Sequence, residues 1–282
     1  IGGLISTDSI GIRLPSVGSF GDLVLGLEVV LPTGETIRTR PIPKSSSGYN
    51  LTRLFIGSEG TLGVITEAVL KLRPLPQARR MYAFGFNSFE DGWKATLIAK
   101  ARINPSVQAI YEGKRAKDWT GKLGVIVVCI FEGDEDVVKA QEEAAYRIYQ
   151  EKGGKFLGPK PAEKWWVERH EVWWRKLDKK NYDIGEFCFP PEKTLEARRS
   201  FRYIFKKLGY PQSFIGTYSA PVDIGVDLYY DERDESEVER YQKLMENLCR
   251  RTVDLGGTLT VCHGIGVRHK IFPFIEECME KE

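Results

Sequence analysis

The sequence predicts an α+β protein in which helices pack on an antiparallel sheet. Two observations indicate this class. A unit made of a strand, an acidic turn, a helix and a closing Gly-Gly pair occurs twice, at residues 125–154 and 224–257. Residues 1–76, in contrast, contain short β-type runs separated by Gly, Ser and Pro. Because amphipathic helices bury their apolar stripes against a sheet, the repeated unit favours a sheet with helices on one face.

The strands and helices follow from periodicity and from breakers. In the first region we expect strands at 23–31, 36–40 and 63–72, the first two joined by a Pro-Thr-Gly-Glu turn. Pro74 and Pro76 end the third strand and mark a domain boundary. In the second region strands are expected at 81–86, 107–111, 125–131 and 224–230, and helices at 88–101, 134–152 and 236–255. Ser236 and Glu239 form a capping-box pattern at the start of the last helix.

A tryptophan-rich segment, KWWVERHEVWWRK at 164–176, lies between the two units. Trp166, Trp173 and Leu177 fall on one helical stripe, which predicts a helix packed by large aromatic side chains. Two alternatives stay open. The mixture of Trp with basic residues is also typical of a membrane-surface helix, and the segment could instead form the wall of a substrate pocket.

Composition excludes several classes of protein. Lys and Arg number 41 against 39 Asp and Glu, so the net charge of +2 argues against a nucleic-acid or polyanion binder. The five cysteines form no CxxC pair, which favours a reduced, cytoplasmic setting. The longest apolar run, at 125–131, is far shorter than the roughly 20 residues of a membrane-spanning helix. The three histidines do not have metal-ligand spacing, so no metal site is predicted.

Three glycine-containing segments are candidates for chemistry. GSEGTLGVIT at 57–66 is neither a Walker A loop nor a Rossmann fingerprint, because a strand-like run follows its glycines. A Gly-rich hairpin without function is the alternative for this segment. A Ser/Thr loop follows Gly2-Gly3, and a late strand carries His263 into a Gly-Ile-Gly turn. An imidazole there could serve as a general base, although a lone histidine is more often structural.

Together these segments resemble the FAD-linked oxidases of the vanillyl-alcohol oxidase type, and within them the alkyldihydroxyacetonephosphate synthase branch. The resemblance covers nearly the whole chain and is most specific over GSEGTLGVITEAVLKLRPLP at 57–76. It implies that residues 1–76 are the second part of a PCMH-type FAD-binding domain whose N-terminal half this chain lacks. Residues 77–260 are then a cap domain, and residues 261–282 return His263 to the active site.

The resemblance also assigns roles to individual residues. The FAD would be lined by two loops, comprising Thr7, Asp8, Ser9 and Ile10, and Glu59, Gly60, Thr61, Leu62, Gly63, Val64 and Ile65. Arg175 stands where the family places an arginine for the substrate's anionic group. Tyr229 stands at the position of the synthase's acid/base tyrosine, and His263 matches a catalytic histidine of both branches.

The activity that the resemblance implies is oxidation of a small anionic hydroxy compound, like a D-2-hydroxy acid, by hydride transfer to flavin N5. Departures from both branches keep alternatives open. Val261-Cys262 precedes His263 where the synthase has His-His, Ala109 replaces an arginine of the synthase, and residues 216–225 contain no histidine. A synthase-like use of FAD without net oxidation and a non-catalytic flavoprotein subunit are therefore the alternatives. The electron acceptor is open, as are a homodimer and peripheral contact with a membrane.

Overall fold

The computed structural model describes residues 1–122, 124–169, 181–210, 215–217 and 223–265. The first region begins with two short helices, α1 (Gly2–Ser6) and α2 (Leu14–Val17), and a 3₁₀ turn at Phe20–Leu23. Strands β1 (Val24–Val30), β2 (Thr36–Arg38) and β3 (Val64–Leu70) form an antiparallel sheet in the order β2-β1-β3, with α3 (Leu51–Phe55) inserted before β3. The predicted hairpin and third strand are confirmed.

A small core holds this region together. Its fully or nearly buried members come from α1, β1 and α3, namely Ile5, Val24, Leu27, Val29 and Phe55. Because alternate residues of β1 point to opposite faces, Leu27 and Val29 face this core while Glu28 pairs with Arg38 at the sheet surface.

The second region contains a four-stranded antiparallel sheet in the order β5-β6-β4-β7. Its strands are β4 (Ala78–Phe86), β5 (Val107–Glu112), β6 (Val125–Gly133) and β7 (Lys155–Gly158). The long helices α4 (Phe89–Ile103) and α6 (Glu135–Glu151) pack on one face, against Phe84, Val127 and Phe131. The α+β class and the antiparallel cap sheet are thus confirmed. The opposite face is also covered, by the shorter helices α5 (Gly113–Thr120) and α7 (Lys160–Glu168). Helix α5 was not predicted, whereas α7 overlaps the helix expected in the tryptophan-rich segment.

A second antiparallel sheet, ordered β8-β10-β9, continues the cap. It comprises β8 (Asn181–Cys188), β9 (Ile215–Gly216) and β10 (Asp223–Tyr230), and helices α8 (Thr194–Lys207) and α9 (Glu235–Asp254) pack on one face of it. The two sheets meet where Ile110 and Thr217 exchange backbone hydrogen bonds of 3.1 and 3.2 Å. Strand β10 therefore carries an apolar face towards α8 and α9, and the alternate residues Asp223 and Asp227 towards the other side.

The predicted capping box of the last helix is wrong. The N-cap of α9 is Asp234, whose carboxylate accepts from the backbone N–H groups of Ser236 and Glu237. Asp234 and Ser236 are both of residue types that can cap a helix. Asp234 prevails because its carboxylate satisfies two of the free donors and places negative charge at the positive end of the helix.

The first half of the tryptophan-rich segment lies in α7, whereas Trp173, Trp174 and Leu177 lie outside the described residues. Trp165 is buried against Tyr111 in the core beneath α5 and α7. Trp166 is stacked by the guanidinium groups of Arg13, Arg79 and Arg169. Within the ranges given above, no helix is both long and apolar enough to cross a bilayer.

Candidate functional site

The first predicted FAD loop, Thr7–Ile10, turns directly after α1. The hydroxyls of Thr7 and Ser9 are 2.6 Å apart, and the carboxylate of Asp8 accepts a 2.8 Å hydrogen bond from the backbone N–H of Gly21. Asp8 has a φ of 46°, a left-handed conformation that costs energy in a residue with a side chain. The turn is therefore held in a defined, strained shape by the contact with Gly21.

The second predicted loop, Glu59–Ile65, is hydrogen-bonded to the first. The backbone N–H of Gly57 donates to Ile5 O, and that of Glu59 donates to Ser6 O at 2.8 Å. Glu59 is also left-handed, with a φ of 50°. Gly63 must be glycine for steric reasons, because a Cβ there would lie 2.8 Å from Val30 O. The two loops, which lie far apart in the sequence, form one continuous surface.

The segment after α9 returns to this surface. Thr258 pairs with Cys188 at the free edge of β8, which directs the following residues along that strand. Ser9 Oγ then donates to Cys262 O at 2.8 Å, and the backbone N–H of Ile265 donates to Glu59 Oε1 at 2.8 Å. The structure thus brings the return segment into contact with both predicted FAD loops.

His263 lies at the centre of this junction. Its side chain is 59% exposed, and its Nδ1 lies 3.2 Å from Oε2 of Glu186, whose side chain is only 11% exposed. Glu186 belongs to β8 and is paired in register with Gly225 of β10. The next residue, Gly264, has a φ of 71° and lies against the Glu59 carboxylate, so the backbone on that side of the imidazole is also fixed.

Acidic groups surround this contact. Burial, reinforced by the nearby Asp223, raises the pKa of Glu186 to about 8. Burial beside Glu186 also raises the pKa of the Cys262 thiol to about 11. One ligand atom each from Glu186, Cys262 and His263 lie within 4.8 Å of one another, a spacing that could hold a divalent cation. Histidine spacing in the sequence did not predict this convergence, which depends on the tertiary fold.

The register of β10 places Tyr229 away from the pairing position of Glu186. Tyr229 lies on the same face of β10 as Asp223, but four residues beyond Gly225, the partner of Glu186. That separation corresponds to about 13 Å along a strand. Arg175 lies outside the described residues. The roles of Tyr229, Arg175 and His263 stay predictions.

The two loops fit a flavin cofactor by their chemistry. They offer hydroxyl and backbone groups suited to a phosphate or a polar ring edge, beside the exposed apolar side chains of Leu62 and Val64. At Gly60, which has a φ of 78°, nothing lies within 4 Å of the position of a Cβ. A planar ring and a flexible diphosphate need such a surface, with close access to backbone and an apolar area for the ring.

Gly21→Ala tests whether the first loop requires its present shape. A Cβ at Gly21 would lie 2.5 Å from both Asp8 Oδ1 and Ile56 Cγ2, so the loop must move. We expect FAD affinity to fall by about tenfold or more, since a displacement of this size breaks a charge-assisted hydrogen bond. Gly11→Ala, where no atom lies within 4 Å of the new Cβ, is the matched control. Equal FAD dissociation constants for the two variants would contradict the prediction.

Comparisons with known proteins agree with this arrangement. Residues 75–277 match the family model "FAD linked oxidases, C-terminal domain". The chain is 26% identical to an alkyldihydroxyacetonephosphate synthase of Dictyostelium discoideum, covering 95% of this chain and 51% of that protein. It is 28% identical to the glycolate oxidase subunit GlcD of Bacillus subtilis, covering 100% of this chain and 63% of that protein. The chain thus spans about half to two thirds of the length of these relatives.

Solved structures show the same fold. An alkyldihydroxyacetonephosphate synthase superimposes with a TM-score of 0.70 and 25% identity, over 92% of this chain and 53% of that chain. A p-cresol methylhydroxylase also gives a TM-score of 0.70, over 90% of this chain and 60% of that chain, and its 14% identity makes this a likeness of fold alone. The family match covers most of the chain, and FAD is the cofactor of the family that it identifies. The chain therefore belongs to the FAD-linked oxidases and carries their C-terminal domain.

Proposed function

We propose that the protein oxidises a small anionic hydroxy compound, of the D-2-hydroxy acid class, with FAD as the electron acceptor. The observation that carries the proposal is the junction at which the return segment presents the exposed imidazole of His263 beside both predicted FAD loops. Relatives named glycolate oxidase subunit and D-lactate dehydrogenase support the substrate class.

Each residue has a simple task in this reaction. FAD, when bound, supplies the two-electron redox chemistry. Nε2 of His263 accepts the hydroxyl proton of the substrate, because it is Nδ1 that makes the contact with Glu186. Arg175 binds the acid group, since a guanidinium matches a carboxylate in geometry and charge.

The acidic residues of β8 and β10 are compatible with an anionic substrate. Asp227 is neutralised by a buried ion pair with Arg115. Glu186 faces His263 Nδ1 at 3.2 Å, so its charge is directed at the imidazole and not at the substrate. The negative charge facing an approaching carboxylate is therefore smaller than the number of acidic residues implies.

The proposal is tested by a substrate series with a dye as electron acceptor. D-Lactate and glycolate are expected to reduce the dye, whereas 1,2-propanediol, which lacks the carboxylate, should do so at least tenfold less efficiently in kcat/KM. Arg175→Ala should raise KM for D-lactate about 10- to 100-fold and change kcat less. Equal turnover of D-lactate and propanediol would contradict an anion-binding site.

A synthase-like reaction without net oxidation is the second candidate. It is favoured by the 25% identity and TM-score of 0.70 with alkyldihydroxyacetonephosphate synthase. The two candidates differ in their products. Oxidation yields one carbonyl product for each flavin reduced, whereas the synthase-like reaction exchanges groups on a ketophosphate and leaves the flavin oxidised at the end of each turnover.

A further inference from the structure

Glu186 has no evident structural reason to be buried where it is. Its Oε2 atom is shielded from solvent and accepts no hydrogen bond of good geometry in the part of the chain that the structure describes. In that part of the chain its ion-pair contact is the 3.2 Å approach to His263 Nδ1. Because a buried carboxylate costs stability unless it is well paired, an acidic side chain at this place requires an explanation.

We propose that Glu186 is the positioning residue of His263. It holds the imidazole through Nδ1 and directs Nε2 towards the substrate. This inference rests on the proposed function, in which Nε2 accepts the substrate proton, and it assigns the second residue of a carboxylate–histidine pair.

Both ends of the contact are fixed by the fold. Glu186 is held by the β8–β10 ladder, in which it pairs with Gly225. The return segment is fixed on one side of His263 by the Thr258–Cys188 bridge. On the other side it is fixed by the hydrogen bond from Ile265 to Glu59. A contact of 3.2 Å between two such anchored groups restricts the orientation of an otherwise exposed ring.

The pair also accounts for the proton that the reaction releases. The substrate loses its hydroxyl proton to Nε2, and its carbon loses a hydride with the electron pair to FAD, so a carbonyl product forms. The imidazolium then bears a proton on each nitrogen, and the Glu186 carboxylate beside Nδ1 stabilises that charge. The proton leaves Nε2 for solvent, which is accessible because the histidine side chain is 59% exposed.

The groups that face Glu186 support this role. Asp223 approaches from β10, and Cys262 and His263 approach from the return segment. Burial and the negative charge of Asp223 raise the pKa of Glu186, so an ionised Glu186 gains from a proton donor at this position. His263 Nδ1, at 3.2 Å, is one such donor, and the Cys262 thiol is another.

Glu186→Gln and Glu186→Ala test the inference in the FAD-loaded enzyme with D-lactate as the probe. We expect the rate of flavin reduction to fall about 10- to 100-fold in each variant, with little change in D-lactate affinity, because the carboxylate that faces Nδ1 of the imidazole is lost. Glu112→Gln is the matched control. Glu112 is a largely buried carboxylate of the cap that pairs with Arg198 and Arg202. Removing its charge is expected to affect stability but not the contact between Glu186 and His263. Equal loss of rate in the Glu186→Gln and Glu112→Gln variants would overturn the proposal.

Nitrogen NMR gives a second readout that does not depend on turnover. The sequence has only three histidines, so ¹⁵N-histidine labelling yields few imidazole signals, and His263→Ala identifies those of His263. We expect the His263 Nδ1 signal to move in Glu186→Ala and to stay unchanged in Glu112→Gln. An unchanged signal in Glu186→Ala would overturn the inference. The inference would also be overturned if the wild-type protein bound one equivalent of zinc that Glu186→Ala did not bind, because Glu186 would then be a metal ligand. If wild-type enzyme does not react with D-lactate, the proposed function fails, whereas the His263 signals still decide the contact.

Discussion

His263→Ala is expected to slow the reduction of the flavin by D-lactate by about 10²- to 10⁴-fold, the range for loss of a general base. The physical reason is that hydride leaves the substrate carbon easily only when the hydroxyl proton is removed at the same time. Anaerobic stopped-flow absorbance of the FAD-loaded enzyme measures this rate directly. FAD content should stay unchanged, because the hydrogen bonds that join the return segment to the loops come from the backbone of Cys262 and Ile265.

Val261→Ala is the matched control for this prediction. Val261 lies in the same segment, two residues before His263, and its side chain has no proton to exchange. Its flavin reduction rate should remain within about threefold of the wild-type rate. A His263→Ala variant that retained full FAD occupancy and reduced its flavin at the wild-type rate would remove His263 from the mechanism.

Arg115→Met is expected to lower the free energy of unfolding by about 3–5 kcal/mol, the usual cost of leaving one member of a buried ion pair without its partner. Arg115 of α5 and Asp227 of β10 form this pair, with side chains 8% and 2% exposed. The pair connects the four-stranded sheet region to the second sheet of the cap. Urea unfolding of the wild type and the variant, each saturated with FAD, gives the difference.

The double variant Arg115→Met, Asp227→Leu distinguishes the cost of an isolated charge from the cost of altered packing. Because it removes both charges, it should be markedly more stable than Arg115→Met alone. If the double variant is as unstable as the single one, the loss comes from packing, and the charge argument is wrong.

The sequence predicted the parts of the fold that carry a strong local signal. The β6–α6 and β10–α9 units were predicted because each has an apolar strand, an acidic turn and a closing Gly-Gly pair. Strand β8 was missed, since NYDIGEFC has no regular apolar alternation, and over residues 183–188 its large buried side chain is Phe187. Its place is determined by pairing with β10, a long-range contact without a local signal.

The candidate site, like the fold, could be predicted from the sequence only in part. The resemblance predicted both FAD loops and His263, and the structure brings these three segments together. Glu186 could not be predicted, because its proximity to His263 depends on the register between β8 and β10 and on the Thr258–Cys188 bridge. Had the register of β8 against β10 been known, the alternation of side chains along each strand would have placed Glu186 and Asp223 on one face.

The central claim is that this chain belongs to an enzyme that transfers electrons from a small hydroxy acid to FAD. The most direct measurement is an anaerobic titration of the FAD-loaded protein with D-lactate, following the visible absorption band of oxidised flavin and the pyruvate formed. We predict that the band bleaches with one pyruvate formed for each flavin. Persistence of the band, with FAD bound and no pyruvate formed, would contradict the claim and favour a synthase-like or non-catalytic role.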